Sequence, residues 1–229
     1  NGDAMEACLD EGVSRGMEMY LSLPHIMRGE MPRELLIRIR EWMDRGMTGF
    51  LVRNLETFAV LRKAGLAEKC VLDHSMYTWN DEAADFWKDQ KVLRNTVPLE
   101  LNEGEIRHRD NRDSEMLIYG YLPLMVTAGC TLKYTSKDKP CGRAGVYYFT
   151  DRKGKKLAAI NSCGYCYNLI FNSVPEYLLD KKEELKNMGV NAVRINFTIE
   201  KADEVEEIIL TAGESIKDYT RGHYNRGVD

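Results

Sequence analysis

Short apolar runs alternate with amphipathic stretches along most of this chain, and this alternation restricts the fold more than any other feature of the sequence. The runs recur at intervals of roughly 20 to 30 residues, the length of one β-strand followed by one α-helix. Repeated β-α units build a parallel sheet, either open or closed into a barrel. The predicted strands are Met17–Leu23, Gly49–Val52, Cys70–Leu72, Thr96–Leu99, Met116–Tyr119 and Ala192–Phe197, and the predicted helices are Arg33–Asp44, Leu55–Lys63, Asp81–Lys88, Glu103–Arg109 and Ala202–Thr211.

A barrel is the favoured arrangement of these units. No G-x-G-x-x-G motif follows the first predicted strand, so an open dinucleotide-binding sheet lacks its phosphate-binding turn. Six strands are too few to close a β/α barrel, which needs eight. We therefore predict an α/β fold, an incomplete (β/α) TIM-like barrel, in a single domain over residues 1–229 that is a fragment of a longer chain. Its first strand would leave an open sheet edge, which predicts self-association or docking against the remaining domains of the same polypeptide.

The β-α alternation is interrupted over residues 127–182, which we interpret as an insertion. A β-hairpin is predicted there, with strands Gly145–Thr150 and Lys155–Ile160 joined by the turn Asp151–Gly154. Basic residues concentrate in the same region: Thr131–Lys156 carries a local charge of +6 in a chain whose net charge is −4. This basic segment favours contact with phosphate groups, although the acidic chain as a whole does not.

Four of the six cysteines fall inside this insertion. A Cys-x-x-Cys turn presents two sulfurs from adjacent backbone, and the hairpin can return the chain to the two cysteines before it. Four converging thiolates satisfy either zinc or an iron-sulfur cluster, and ordinary buried thiols are the alternative. Cys8 and Cys70 are interpreted as structural residues. The predicted metal or cluster ligands are Cys130, Cys141, Cys163 and Cys166.

Polar residues follow each predicted strand. Arg53 follows the second strand, His74 the third and Glu100 the fourth. Because the C-terminal strand ends of a β/α barrel form its active site, we predict that these three side chains line one concavity. Together they could perform acid–base chemistry and bind an anionic substrate. The alternative is that they are ordinary polar residues of strand-to-helix loops.

Several classes of protein are disfavoured by what the sequence lacks. There is no apolar run long enough to span a membrane and no visible signal peptide, so a cytoplasmic protein without a membrane partner is predicted. Six cysteines are too few for a disulfide scaffold in a chain of this length. The signature motifs of α/β-hydrolases, P-loop enzymes and zincins are also missing.

Several segments, in the same order along the chain, resemble peptidase family U32, the collagenase-like proteases. The longest is Glu115–Met125, which is followed by Cys130. The pattern departs from the better-known branch of the family in the longer spacer that leads to Cys141. The other segments are Leu21–Pro24, Gly49–Asn54, Thr150–Arg152, Cys163–Cys166 with Asn168, Asn172 and Ser173 after it, Arg194–Glu200, and Thr220–Val228.

The resemblance implies a barrel-like β/α domain and, for several members, a 4Fe–4S cluster on four cysteines in the region that holds the four named above. It therefore favours a cluster over zinc. It implies either a role in hydroxylation of an RNA base, as in some members, or peptidase activity, so the expected substrate is RNA or a peptide. For a peptidase, Cys130 with His74 or His223 is the candidate nucleophile and base. A structural domain held together by a metal is the remaining alternative.

Overall fold

The computed structural model describes residues 2–28, 31–131, 133, 145–212, 214 and 216–228. The chain is a mixed α/β protein that divides into two compact units, Asn1–Pro98 and Leu99–Asp229, called here the first and second unit. The alternation of strands and helices follows the predicted β-α pattern in the first unit, where it is compatible with part of a barrel. None of the helices in the described ranges has the length and apolar composition that a membrane crossing needs.

The first unit contains four strands that alternate with helices. Short 3₁₀ turns at Ala67–Lys69 and His74–Met76 flank the third strand. Its elements are α1 (Gly2–Ser14), β1 (Tyr20–Ser22), α2 (Arg33–Asp44), β2 (Gly49–Val52), α3 (Leu55–Lys63), β3 (Cys70–Leu72), α4 (Asp81–Asp89) and β4 (Arg94–Thr96).

These four strands form a parallel sheet in the order in which they occur along the chain. Phe50 and Val52 of β2 and Leu72 of β3 are fully buried, as parallel strands covered on both faces must be. The helices begin where asparagine side chains accept hydrogen bonds from the first turn. Asn54 caps α3 and Asn80 caps α4, and each satisfies a backbone N–H that the helix itself leaves without an acceptor.

The second unit has a different organisation, with seven strands and three helices among the described residues. A 3₁₀ turn, Leu179–Lys181, precedes its second helix. Its elements are α5 (Glu103–His108), β5 (Ser114–Gly120), β6 (Pro123–Thr127), β7 (Val146–Thr150), β8 (Lys156–Ser162), β9 (Tyr167–Phe171), β10 (Glu176–Tyr177), α6 (Lys182–Asn187), β11 (Ala192–Asn196) and α7 (Ala202–Leu210).

Strand β5 is the buried centre of this unit. All seven of its residues are buried, and it pairs in parallel with β11 and antiparallel with β10. At its end Gly120 lies opposite Asn196 with a φ of 153°, and a Cβ atom there would stand 2.6 Å from the Asn196 carbonyl oxygen. Only glycine tolerates both the backbone conformation and this approach.

Strands β6 to β9 form a separate antiparallel sheet in the order β6-β9-β8-β7. The predicted hairpin is confirmed, because Val146 pairs with Ile160 and Thr150 with Lys156 on either side of the predicted turn. The Asp151 carboxylate accepts hydrogen bonds from the Lys153 and Lys155 backbone N–H groups at 2.8 Å, which fixes that turn.

Most predicted elements occur within a few residues of the predicted bounds, but β4 does not. It spans Arg94–Thr96 instead of Thr96–Leu99. Pro98 has no backbone N–H that could pair in a sheet. Arg94 and Asn95 are polar but belong to the strand, because Asn95 is buried and Arg94 donates a hydrogen bond to the Tyr20 hydroxyl at 3.1 Å. Helices α1 and α6 and strands β6, β9 and β10 were not predicted.

Candidate functional site

An ion pair between Arg53 and Asp73 lies at the C-terminal ends of β2 and β3. The register pairs Val52 with Leu72, so the next residue of each strand stands at the same level of the sheet. Arg53 Nε lies 2.7 Å from Asp73 Oδ2, and the two side chains are 17% and 2% exposed. With so little water around it, this pair is a fixed charged element of the strand ends.

Further hydrogen bonds tie together the loops that follow β1, β2 and β3. Arg53 donates to the Leu23 carbonyl at 3.3 Å, and the Asn54 side chain donates to the Pro24 carbonyl at 2.9 Å. Ser75 Oγ in turn donates to the Arg53 carbonyl at 3.0 Å. Polar groups at three adjacent strand ends are therefore held in one network.

His25, which follows β1, belongs to the same region. It is half-buried, and burial lowers its pKa to about 4; the positive charge of Arg53 acts in the same direction and the Asp73 carboxylate opposes it. Its imidazole is therefore neutral near pH 7 and can accept a hydrogen bond, whereas a pKa this low makes it a weak base. His74 also lowers the pKa of His25, which shows that the two histidines interact electrostatically.

A cleft of about 350 Å³ opens beside this network, lined by residues 53–56 and 75–77. Arg53 is common to the ion pair and to the cleft. A guanidinium at the wall of a cleft binds carboxylate or phosphate oxygens, and a nearby neutral imidazole can accept a hydrogen bond. The arrangement can therefore hold an anionic group next to a neutral imidazole.

The structure brings two of the three predicted catalytic residues to neighbouring strand ends. Arg53 and His74 follow β2 and β3, while Glu100 belongs to the second unit, where its Oε2 atom is buried without a hydrogen-bond partner among the described residues. A shared site of these three residues stays a prediction. Asp73 and His25 were not predicted as site residues, although an Arg and an Asp directly after two consecutive strands are a signal for pairing.

The described candidate ligand cysteines lie at one end of the β6–β9 sheet. Cys163 and Cys166 form the turn between β8 and β9, and Cys130 comes three residues after Thr127, which pairs with Asn168 at the start of β9. The loop that carries Cys130 is fastened to β9, because the Asn168 side chain donates to the carbonyls of Thr127 and Gly129. Cys141 lies outside the described residues.

These cysteines differ from the two interpreted as structural. Cys130 and Cys163 are half-buried and Cys166 is exposed, with a left-handed φ of 53°. Cys70 is buried in β3, and burial raises its pKa to about 12, which makes it an unreactive thiol. Within the described ranges, no three His, Cys, Asp or Glu side chains converge as metal ligands, so the four-cysteine site also stays a prediction.

Four basic residues of the basic segment do not lie beside the described cysteines, whereas Lys133 follows Cys130 by only three residues. The four, Arg152, Lys153, Lys155 and Lys156, are exposed around the β7–β8 turn, at the end of the antiparallel sheet opposite to the Cys163–Cys166 turn. Lys137, Lys139 and Arg143 lie outside the described residues. The expectation of phosphate-binding charges beside the cysteines is therefore wrong for the four basic residues of this turn, because β8 separates them from Cys163.

Comparison with known proteins points to one family. A solved structure, the U32 peptidase Mk0906, aligns with a TM-score of 0.39 and 18% identity over 51% of this chain and 51% of that chain, so the match spans about half of that protein's length. No curated protein matches the sequence. The profile of peptidase family U32 matches residues 1–228. Because this match covers nearly the whole chain, the protein belongs to peptidase family U32.

Proposed function

We propose that this U32 protein is an enzyme that carries a 4Fe–4S cluster on Cys130, Cys141, Cys163 and Cys166 and acts in the hydroxylation of an RNA base. The observation that carries the proposal is the strand order β6-β9-β8-β7. Three points of the chain meet at one end of this sheet. They are the end of β6, the turn between β8 and β9, and the start of β7. Cys163 and Cys166 lie in that turn, Cys130 follows β6 by three residues, and Cys141 precedes β7 by five residues in the sequence, which supports the proposal.

The donor set suits an iron–sulfur cluster. Thiolate sulfur is the ligand that such clusters and structural zinc prefer, so zinc is the alternative occupant. A bound cluster supplies one-electron transfer, whereas the surrounding chain supplies binding and orientation. Asn168 contributes to that orientation, since it holds the Cys130 loop against β9.

The network at the strand ends of the first unit would bind substrate in this proposal. Arg53 offers its guanidinium to a phosphate oxygen, and the neutral His25 imidazole offers a hydrogen bond to the substrate. These strand ends would belong to the active-site face of a TIM-like barrel, where parallel strands present their C-terminal residues. Asp73 keeps the guanidinium in place.

Metal analysis after anaerobic purification tests the cluster. We expect iron and acid-labile sulfide in nearly equal amounts in the unmodified protein, and a loss of most of both in Cys163→Ser. Cys8→Ser is the matched control and should retain them, because Cys8 lies on α1, in the other unit. A zinc-loaded protein without sulfide, or equal retention in both variants, would contradict the cluster.

RNA-base hydroxylation is tested separately by comparing bulk RNA from cells that lack the protein with RNA from cells that express it or its Arg53→Met variant. We expect one hydroxylated nucleoside to disappear without the protein and to remain absent with the variant. An unchanged nucleoside profile would reject the RNA role even if the cluster is present.

Peptide hydrolysis is the second candidate, favoured by the family match and by the neutral imidazole of His25. It predicts cleavage of gelatin by the purified protein and loss of that cleavage in His25→Gln. Since Cys130 cannot serve both as a ligand and as a nucleophile, thiol alkylation that stops cleavage would favour the peptidase over the cluster enzyme. A protein with neither activity would be a structural domain.

A further inference from the structure

A second cavity, of about 480 Å³, lies within the second unit at the C-terminal ends of its two parallel strands. Tyr121 follows the end of β5, and Glu200 follows the end of β11 by a short loop. Tyr148 and Lys156 line it from the β7–β8 hairpin, and α7 contributes its first turns. The ends of parallel strands are where α/β proteins most often bind ligands.

Glu200 lines this cavity with a carboxylate that is held in place by the backbone. Its Oε2 atom accepts hydrogen bonds from the backbone N–H groups of Thr198 at 2.6 Å and Ile199 at 2.9 Å. Its Oε1 atom is buried and makes no hydrogen bond of ordinary length among the described residues, although the Tyr119 hydroxyl interacts with this carboxylate, which together with burial raises the pKa of Tyr119. A carboxylate fixed at the wall of a cavity attracts a cation.

The charges of the lining favour positive over negative ligands by a small margin. Three glutamates, Glu200, Glu204 and Glu207, stand against two lysines, Lys156 and Lys201, so the net charge is −1. The charge of Glu200 reaches well into the space, since it contributes with burial to raising the pKa of Tyr121.

Two phenol rings add to this preference. Tyr121 and Tyr148 line the same cavity, and cations are attracted to the faces of such rings. Carboxylates together with aromatic rings are the chemistry that recognises ammonium and guanidinium groups.

We propose that this cavity binds a small organic cation with an ammonium or guanidinium head, which lies beside the Glu200 carboxylate and against Tyr121 and Tyr148. The site is separate from the Arg53 cleft, which offers the opposite charge. It does not depend on the proposed RNA or peptidase function. The cation would be attracted by a carboxylate that two backbone N–H groups hold in place.

Calorimetric titration with agmatine tests the proposal, with glutarate as an anion of similar length at the same ionic strength. We expect saturable binding of agmatine and none of glutarate. Glu200→Gln keeps the shape of the side chain and removes its charge, and it should weaken agmatine binding at least about fivefold. Glu206→Gln removes the same charge from an α7 position that does not line the cavity, and it should change binding less than about twofold.

Tyr148→Leu provides a second variant in case Glu200→Gln does not fold, because Tyr148 is 62% exposed on a strand. It should also weaken agmatine binding while the far-UV circular dichroism stays unchanged. The proposal is overturned if agmatine does not bind, if glutarate binds as well as agmatine, or if Glu206→Gln weakens binding as much as Glu200→Gln. The last result would mean that the general negative charge of α7 attracts the cation.

Discussion

At the scale of single residues, the Arg53–Asp73 pair has the clearest energetic consequence. Pairing two charges away from water gains little net stability, but removing one partner leaves the other buried without compensation. Asp73 has a second role, because its Oδ1 atom accepts a hydrogen bond from the His74 N–H at 2.9 Å. A replacement that keeps the hydrogen-bond acceptor but has no charge therefore tests the contribution of the charge alone.

Asp73→Asn is expected to lower the free energy of unfolding by roughly 2–4 kcal/mol, since it retains the acceptor but removes the charge that compensates Arg53. Urea denaturation at neutral pH measures the change. Asp110→Asn is the matched control: Asp110 pairs with Arg112 at 2.7 Å on the surface, where the side chains are 40% and 79% exposed, and its loss should cost much less than the loss of Asp73. Similar costs for both variants would contradict a desolvated pair.

Sequence reasoning could find Arg53 and His74 because each lies within two residues of the end of an apolar run that must be a strand. It did not find the pairing of Arg53 with Asp73, because this requires knowing that Val52 and Leu72 are in register. The importance of His25 could not be predicted either, since its pKa depends on burial by residues distant in the chain. Side chains at strand ends are predictable as candidates, and their partners depend on register.

At the scale of elements, the sequence predicts α2, α3, β2 and β3 with their correct bounds and misses other helices and strands. The bounds of α3 were predicted correctly because Asn54 caps it and its apolar residues follow the helical period. Strand β6 was missed because Leu124, Met125 and Val126 show no alternation of buried and exposed positions and are all exposed. Tertiary context, which the sequence pattern does not contain, decides such strands.

Gly120→Ala is expected to disturb the pairing of β5 with β11, because the new Cβ atom would stand 2.6 Å from the Asn196 carbonyl oxygen. The free energy of unfolding should fall by more than about 2 kcal/mol, as for other strained or overpacked core positions. Thermal unfolding checks this against Gly164→Ala, where a Cβ atom meets nothing within 4 Å. A stable Gly120→Ala protein would mean that β11 shifts its register without cost.

At the scale of the whole molecule, the two units contain buried titratable groups that respond to pH in opposite directions. His25 in the first unit has a pKa lowered to about 4. Glu176 in the second unit is 3% exposed, and burial raises its pKa to about 8. Each group is neutral in the folded protein over a range of pH in which it would be charged in the unfolded chain.

Between pH 4.5 and 6.5 the two effects oppose each other, so the free energy of unfolding should be nearly flat there and should fall below and above that range. As pH falls from 6.5 towards 4, the unfolded chain protonates His25 before the folded protein does, which costs up to about 3 kcal/mol. As pH rises from 4.5 towards 8, the unfolded chain ionises Glu176 first, which also lowers stability. Urea denaturation across this range should show His25→Gln flattening the acidic side and Glu176→Gln the alkaline side; unchanged slopes in both variants would contradict these pKa values.

The strands of the antiparallel sheet lie between β5 and β11 in the sequence. This position has a consequence for the order of folding. Strands β7, β8 and β9 pair with near neighbours in the chain and close only short loops, so they can form early. The pairing of Met116 with Val193 closes a much longer loop and must come later. During synthesis, the apolar strand β5 leaves the ribosome well before β11, and until β11 arrives that edge of β5 is open to aggregation or to a chaperone.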